Sequence, residues 1–311
     1  MEVTAALQRL AAFQPHKSTK SQLLLDQNKS LLNKNAYLKQ GDEGWETLEK
    51  LFLAALDQGD IETADNCLKI LSERFPGSAR IDCLTGIRME VTESPDIALQ
   101  YYGELLEGDS ANASFWRRKA AVYRKLGKID QAVQELSTML DTYYTEVDGW
   151  LELADIYSSC QQYTYALQSL AHTLLLAPQN PFHFLQFAET AYLAADIPLA
   201  LKTYLQVVDM TDDDDDDVPP IDTIPTGVTL RAWFGVKLCT HRLTTEPKTA
   251  SSSASQTPAP SATTLSSLDD LATERLRTAY LNTTRESPPQ GDKALIDALA
   301  KVIAAGSAKE E

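Results

Sequence analysis

Apolar and polar positions along the chain follow a helical rhythm, and that rhythm itself recurs. Alanine stands at Ala64, Ala98, Ala132, Ala166 and Ala200, each 34 residues from the last. Four residues beyond each come Leu68, Tyr102, Leu136, Leu170 and Tyr204, and three further on Leu71, Leu105, Met139, Thr173 and Val207. This i, i+4, i+7 spacing gathers each trio on one side of a helix, so each alanine opens a packing face. Another apolar series precedes it, with Trp116, Ala120 and Tyr123 in one period and Trp150, Leu153, Ala154 and Tyr157 in the next. Gly59 and Gly127 fall between the two series, where a turn must leave helical geometry cheaply. Pro76 and Pro178 close the second series, because proline keeps the residue before it out of the helical region. The pattern predicts antiparallel helix pairs from about Gly44 to Met210, with almost no strand-like alternation.

The unit carrying Trp150, Leu153, Ala154, Tyr157, Ala166, Leu170 and Pro178 reproduces the 34-residue tetratricopeptide pattern. Two helices cross closely only where one contributes no bulk, which explains Gly86, Ala120, Ala154 and Ala188 on first helices and the alanine series on second helices. The rings of Trp116, Tyr123, Trp150 and Tyr157 are expected to fill the space between successive pairs. Each pair leaves an apolar side uncovered, so stacking is obligatory. The expected fold class is all-α, a right-handed superhelical solenoid of tetratricopeptide helix-turn-helix repeats with flanking capping helices.

Five repeats are expected over residues 44–211. Residues 1–43 are read as N-terminal capping helices, Glu2 to Phe13 and Lys20 to Asn33, and residues 288–311 as a C-terminal capping helix, Asp292 to Ala305, with a tail. Residues 212–227 form an acidic linker, with Asp212 to Asp217 followed by Pro219 and Pro220. Residues 228–287 read as a split sixth repeat, with helices Leu230 to Leu243 and Leu268 to Leu281. The Ser/Thr/Pro-rich segment between them, about 244–267, is expected to be a disordered insertion.

Charge narrows the function. The 311 residues carry 28 Lys plus Arg against 44 Asp plus Glu, a formal net charge of −16, which argues against a sequence-independent nucleic-acid binder. No run of apolar residues is long enough to span a bilayer, and the start lacks the basic region of a secretory signal, so a cytosolic location is expected. Cys67, Cys83, Cys160 and Cys239 form no CxxC pair and read as reduced thiols. No HExxH, Walker-type, GxGxxG or GxSxG motif occurs, and His16, His172, His183 and His241 lie at no zinc-ligand spacing. Glu152 and Asp155, three apart on a helix, read as a solvated or partner-facing surface. No catalytic residue, metal or cofactor is expected; what remains is recognition.

A solenoid of this kind offers a concave groove lined by the first helix of each unit. The groove positions expected to meet a partner are Ile87, Glu90, Arg117, Arg124, Leu151, Asp155, Glu189 and Tyr192, a mixed rather than uniformly basic lining. Chaperone-tail binders among tetratricopeptide proteins clamp a C-terminal carboxylate with cations. The comparable places here read Glu49 with Leu53, Arg118, and Asp148 with Glu152, where acids repel such a tail.

Several segments resemble one family in order along the chain: Gly44-Trp45 through Ala54 to Asp60; Phe75-Pro76-Gly77-Ser78 followed by Leu84-Thr85-Gly86-Ile87-Arg88-Met89-Glu90; Trp150 to Tyr157; and Leu230 to Gly235. They are similar to subunit 2 of the endoplasmic reticulum membrane protein complex. The resemblance implies a non-catalytic scaffold, peripheral on the cytoplasmic side of the endoplasmic reticulum membrane. It implies that the partners are cytosolic segments of the insertase-like and small membrane subunits, which themselves insert tail-anchored and multipass proteins. The alternative reading is a soluble cochaperone or adaptor that binds linear peptides.

Overall fold

The computed structural model describes residues 42–211, 224–246 and 254–283. The expected terminal caps, apart from 42 and 43, and the Asp212–Asp217 run lie outside them. All regular elements among the described residues are helices: α1 Asp42–Asp57, α2 Ile61–Arg74, α3 Ala79–Thr92, α4 Pro95–Gly108, α5 Ala113–Lys125, α6 Ile129–Thr142, α7 Val147–Ser159, α8 Tyr163–Leu176, α9 Pro181–Leu193, α10 Ile197–Thr211, α11 Gly227–Thr245 and α12 Ala262–Thr283. They form helical hairpins of the tetratricopeptide kind. The chain divides into two compact units, Met1–Tyr143 with α1–α6 and Tyr144–Glu311 with α7–α12.

The period is written in the backbone as well as in the side chains. Between the helices of a hairpin, Gly59, Gly127, Gln161 and Ala195 take φ of 74°, 73°, 60° and 62°. The residue after each donates its N–H five residues back: Asp60 to Ala55, Lys128 to Tyr123, Gln162 to Tyr157 and Asp196 to Ala191, at 2.9–3.0 Å. These bonds satisfy carbonyls that a helix end otherwise leaves orphaned. The second hairpin departs from this scheme. Glu93 stays extended at φ −112°, and Pro95 opens α4 with its ring already set for the first helical turn.

Helix starts recur at the same interval. Ser78, Asn112, Glu146 and Asn180 precede the first helices, and the Asn112 and Asn180 side chains accept the Ser114 and Phe182 N–H groups at 3.1 Å. Among the second helices, Asp60 caps α2 through Thr63 N at 3.2 Å, and Asp196 accepts Leu199 N at 3.3 Å at the start of α10.

Within unit 1, the core of the first hairpin is built from Leu48, Leu51, Phe52, Cys67 and Leu71, onto which Ile81 and Leu84 pack. Tyr102 is fully buried and packs against Gly86, where any Cβ would collide with the ring. Within unit 2, one continuous core runs from Phe184 through α10 and α11 to Ala279. Here Tyr204 presses on Gly235 in the same manner. All five alanines of the 34-residue series are completely buried.

Two expectations change. Trp116 and Trp150 stay half-buried. Each indole N–H reaches back six residues, to Ser110 O at 3.0 Å and Tyr144 O at 2.8 Å, so the tryptophans pin the loops between hairpins while Tyr102 and Phe115 fill the interior. Tyr123 and Tyr157 are likewise half-buried.

The insertion at 244–267 is shorter than composition suggested. α11 continues through Thr245 and α12 begins at Ala262, where Ser261 Oγ accepts Thr264 N at 3.2 Å and Leu265 is buried. Between them Ser255 donates its N–H to Asp196 Oδ2 at 2.9 Å, so one buried carboxylate ties this returning strand of chain to α10. Serine and threonine favour loops by composition, but here they cap a helix whose apolar face finds a core.

Candidate protein interaction surfaces

The eight groove positions divide evenly, Ile87, Glu90, Arg117 and Arg124 in unit 1 and Leu151, Asp155, Glu189 and Tyr192 in unit 2. Glu90 does not face an open groove. Its side chain is 2% exposed. Its carboxylate accepts the Tyr102 hydroxyl at 2.9 Å, Arg118 Nε at 2.9 Å and Lys125 Nζ at 2.6 Å. Burial disfavours the Arg118 charge, yet Glu90 and Tyr102 together outweigh it and raise that guanidinium's pKa. Burial, reinforced by Glu90, pushes the Tyr102 phenol well above its ordinary range. A carboxylate so fully occupied binds α3, α4 and α5 together instead of meeting a ligand.

Ile87 is half-buried and packs on the first hairpin's core. Arg117 and Arg124 lie half-buried on α5, the most basic helix described. In unit 2, Glu189 pairs with Arg231 at 2.6 Å, an ion pair between α9 and α11 that stays largely in solvent. The Arg242 guanidinium sits 5.5 Å from the centre of the Tyr192 ring. Leu151 is half-buried and Asp155 exposed. Glu90, Glu189 and Tyr192 are therefore engaged by neighbouring helices of the same chain.

Sequence reasoning passed over the polar joint of the last hairpin. Lys237, 6% exposed, donates to Asp269 Oδ2 and Thr273 Oγ1, both at 2.7 Å, and Thr240 Oγ1 donates to Asp269 Oδ1 at 2.8 Å. A lysine inside an otherwise apolar helix face was the signal, since buried ammonium groups require partners. Two of the thiols are inert by environment: burial, with the Asp60 charge added, pushes Cys67 up to about 12, and burial pushes Cys239 to about 12. No group of three or more metal-ligating side chains gathers among the described residues.

An open cleft of about 620 Å³ lies beside Trp45, Phe75, Arg80 and Leu84. Its rim is aromatic and charged, with the Trp45 and Phe75 rings edge to face at 5.5 Å and the Glu49–Arg80 pair at 2.7 Å. Unit 2 exposes a different surface, where Tyr144, Tyr165, Leu175, Phe182 and Leu193 stand in solvent.

The "EMC2 TPR-like repeat domain" matches residues 77–204. "ER membrane protein complex subunit 2-B" of Xenopus laevis is 31% identical over 231 residues, covering 73% of this chain and 72% of that protein. "TPR repeat protein oca3" of Schizosaccharomyces pombe is 30% identical over 216 residues, covering 67% and 71%. "ER membrane protein complex subunit 2" of Dictyostelium discoideum is 29% identical over 142 residues, covering 45% and 44%.

Proposed function

This chain belongs to the family of endoplasmic reticulum membrane protein complex subunit 2, and we propose from that membership that it is a non-catalytic scaffold subunit of such a complex. It sits peripherally on the cytoplasmic side of the membrane, and its helical hairpins hold cytosolic segments of the membrane-embedded subunits. Those subunits, including an insertase-like and a small one, insert tail-anchored and multipass proteins, and this chain positions them. The observation that carries the reading is the 31% identity sustained over 231 residues, which spans both units of tetratricopeptide hairpins. In keeping with peripheral attachment, no helix among the described residues is long and apolar enough to cross a membrane. In this reading the partner meets the groove positions counted along the first helices, Ile87, Arg117, Arg124, Leu151, Asp155, Glu189 and Tyr192, while Glu90 is taken up internally.

The test is affinity purification of the tagged chain from membranes solubilised in mild detergent, with salt-washed membranes fractionated in parallel. A stoichiometric set of membrane-spanning subunits, with the chain retained on washed membranes, is the expected result. A freely soluble chain accompanied only by chaperones replaces the scaffold by a peptide-binding adaptor.

A further inference from the structure

The stretch from Ile156 to Ala188 contains no Asp, Glu, Lys or Arg, in a chain that is 23% charged. It supplies the end of α7, all of α8 and most of α9. Its neutrality is not explained by burial. Leu175 is 79% exposed and Phe182 65%, and Tyr144 nearby is 68% exposed.

These side chains gather on one edge of unit 2. The Trp150 indole holds Tyr144 O and stacks on the His172 ring, 4.4 Å between centroids and 17° between planes. Leu175 lies three residues beyond His172 on α8 and so neighbours it on the helix surface. Phe182 follows Pro181 in the first turn of α9, and a shallow cleft of about 480 Å³ runs along the connecting turn from Leu176 to Phe182. Asn180 fixes the turn by accepting Phe182 N, so the phenylalanine is presented by a capped helix start and not by a loose loop. Exposed large apolar side chains beside an open cleft offer a place of association.

Charge selects the occupant. Within unit 2, Tyr144 to Leu201 holds six Asp or Glu and not one Lys or Arg, and of the six Glu189 is paired with Arg231 and Asp196 is buried. An anionic membrane surface attracts Lys and Arg, which this stretch lacks. A second copy of the chain, itself at −16, brings the same acids against the same acids. We propose that the neutral α8–α9 edge around Leu175 and Phe182 is the docking surface for another protein subunit, which presents apolar side chains flanked by cations. This deepens the scaffold reading and rests on it: the partner is a cytosolic segment of a membrane subunit of the complex.

The test uses the full tagged chain recovered from detergent-solubilised membranes. Wild type is compared with the double variants Leu175→Glu/Phe182→Glu and Leu175→Ser/Phe182→Ser, and with a control, Val91→Glu/Ile97→Glu, at exposed apolar positions of unit 1. Both α8–α9 variants are expected to lower recovery of the membrane-spanning subunits about tenfold, with the control and all melting temperatures unchanged. Undiminished recovery by both variants overturns the docking surface and leaves the scaffold reading intact. Recovery of no membrane-spanning subunit by the wild type overturns both. Flotation of the purified wild type with phosphatidylcholine–phosphatidylserine vesicles, lost in the variants, assigns the edge to lipid and overturns the proposal. Self-association in sedimentation, lost in the variants, does the same in favour of a second copy.

Discussion

The two units repeat one backbone and fasten it with different chemistry. In unit 1, ion pairs join helix to helix: Glu49 to Arg80, Asp65 to Arg88, Glu90 to Arg118 and Lys125, and Lys119 to Glu135. In unit 2, the hairpins α7–α8 and α9–α10 contain no Lys or Arg before Lys202, so no such pair forms inside that stretch. Packing and rings take over there: Trp150 on His172, Tyr157 near Tyr165 at 5.4 Å, and the core that begins at Phe184. Among the described residues, cationic bridges return with Arg231, Lys237 and Arg242 on the helix α11. The difference shows that the repeat depends on few positions. A buried alanine recurs in all five hairpins and a left-handed turn residue in four of them, while the remaining surface becomes ionic in one unit and neutral in the other.

The comparison breaks most visibly where both units obey the same packing rule. Ala132→Trp in unit 1 and Ala166→Trp in unit 2 each force bulk into a fully buried crossing and are expected to cost about 3 kcal/mol or more in chemical denaturation. An unchanged midpoint for either refutes the shared register. The ionic side of the contrast is sharpened by Glu90→Ala against Glu189→Ala. The first strands Arg118 and the Tyr102 hydroxyl and is expected to cost about 3 kcal/mol. The second removes a solvated pair, and a loss below about 1 kcal/mol is expected. Equal losses from the two substitutions erase the distinction between a buried ionic joint and an exposed one.

A smaller effect runs the other way. Gln161 and Ala195 occupy the left-handed turn that glycine fills at Gly59 and Gly127. Gln161→Gly and Ala195→Gly are therefore expected to stabilise unit 2 by roughly 1 kcal/mol each, measured by thermal unfolding. Smallest is a chemical readout. Exposed Cys160 is expected to react with a thiol reagent in the native chain while Cys67 and Cys239, both buried and pushed up to about 12, stay protected until unfolding. Rapid labelling of Cys67 or Cys239 under native conditions contradicts their placement.

The helical hairpins, their interval and the tetratricopeptide class are legible in the sequence, because a helix face and a turn are local. An alanine every 34 residues, with leucine or tyrosine four residues on, is enough to predict a packing face. The candidate surface is less legible. Glu90 falls at a groove position by counting, yet three donors from α4 and α5 close over it. That meeting depends on how neighbouring hairpins approach, which no spacing within one helix reports. In the same way the Ser/Thr/Pro segment reads as disordered by composition, whereas Asp196, 59 residues earlier, holds Ser255 in place.

The sequence alone thus determined the repeat, its glycine turns at Gly59 and Gly127 and the absence of charge from Ile156 to Ala188, since each is a pattern along the chain. Only the tertiary structure decided which charged groups are consumed internally and which apolar side chains are left in solvent. Leu170 is fully buried and Leu175 is 79% exposed on the same helix. Hydropathy ranks them equally, and only the position of the neighbouring helices separates them.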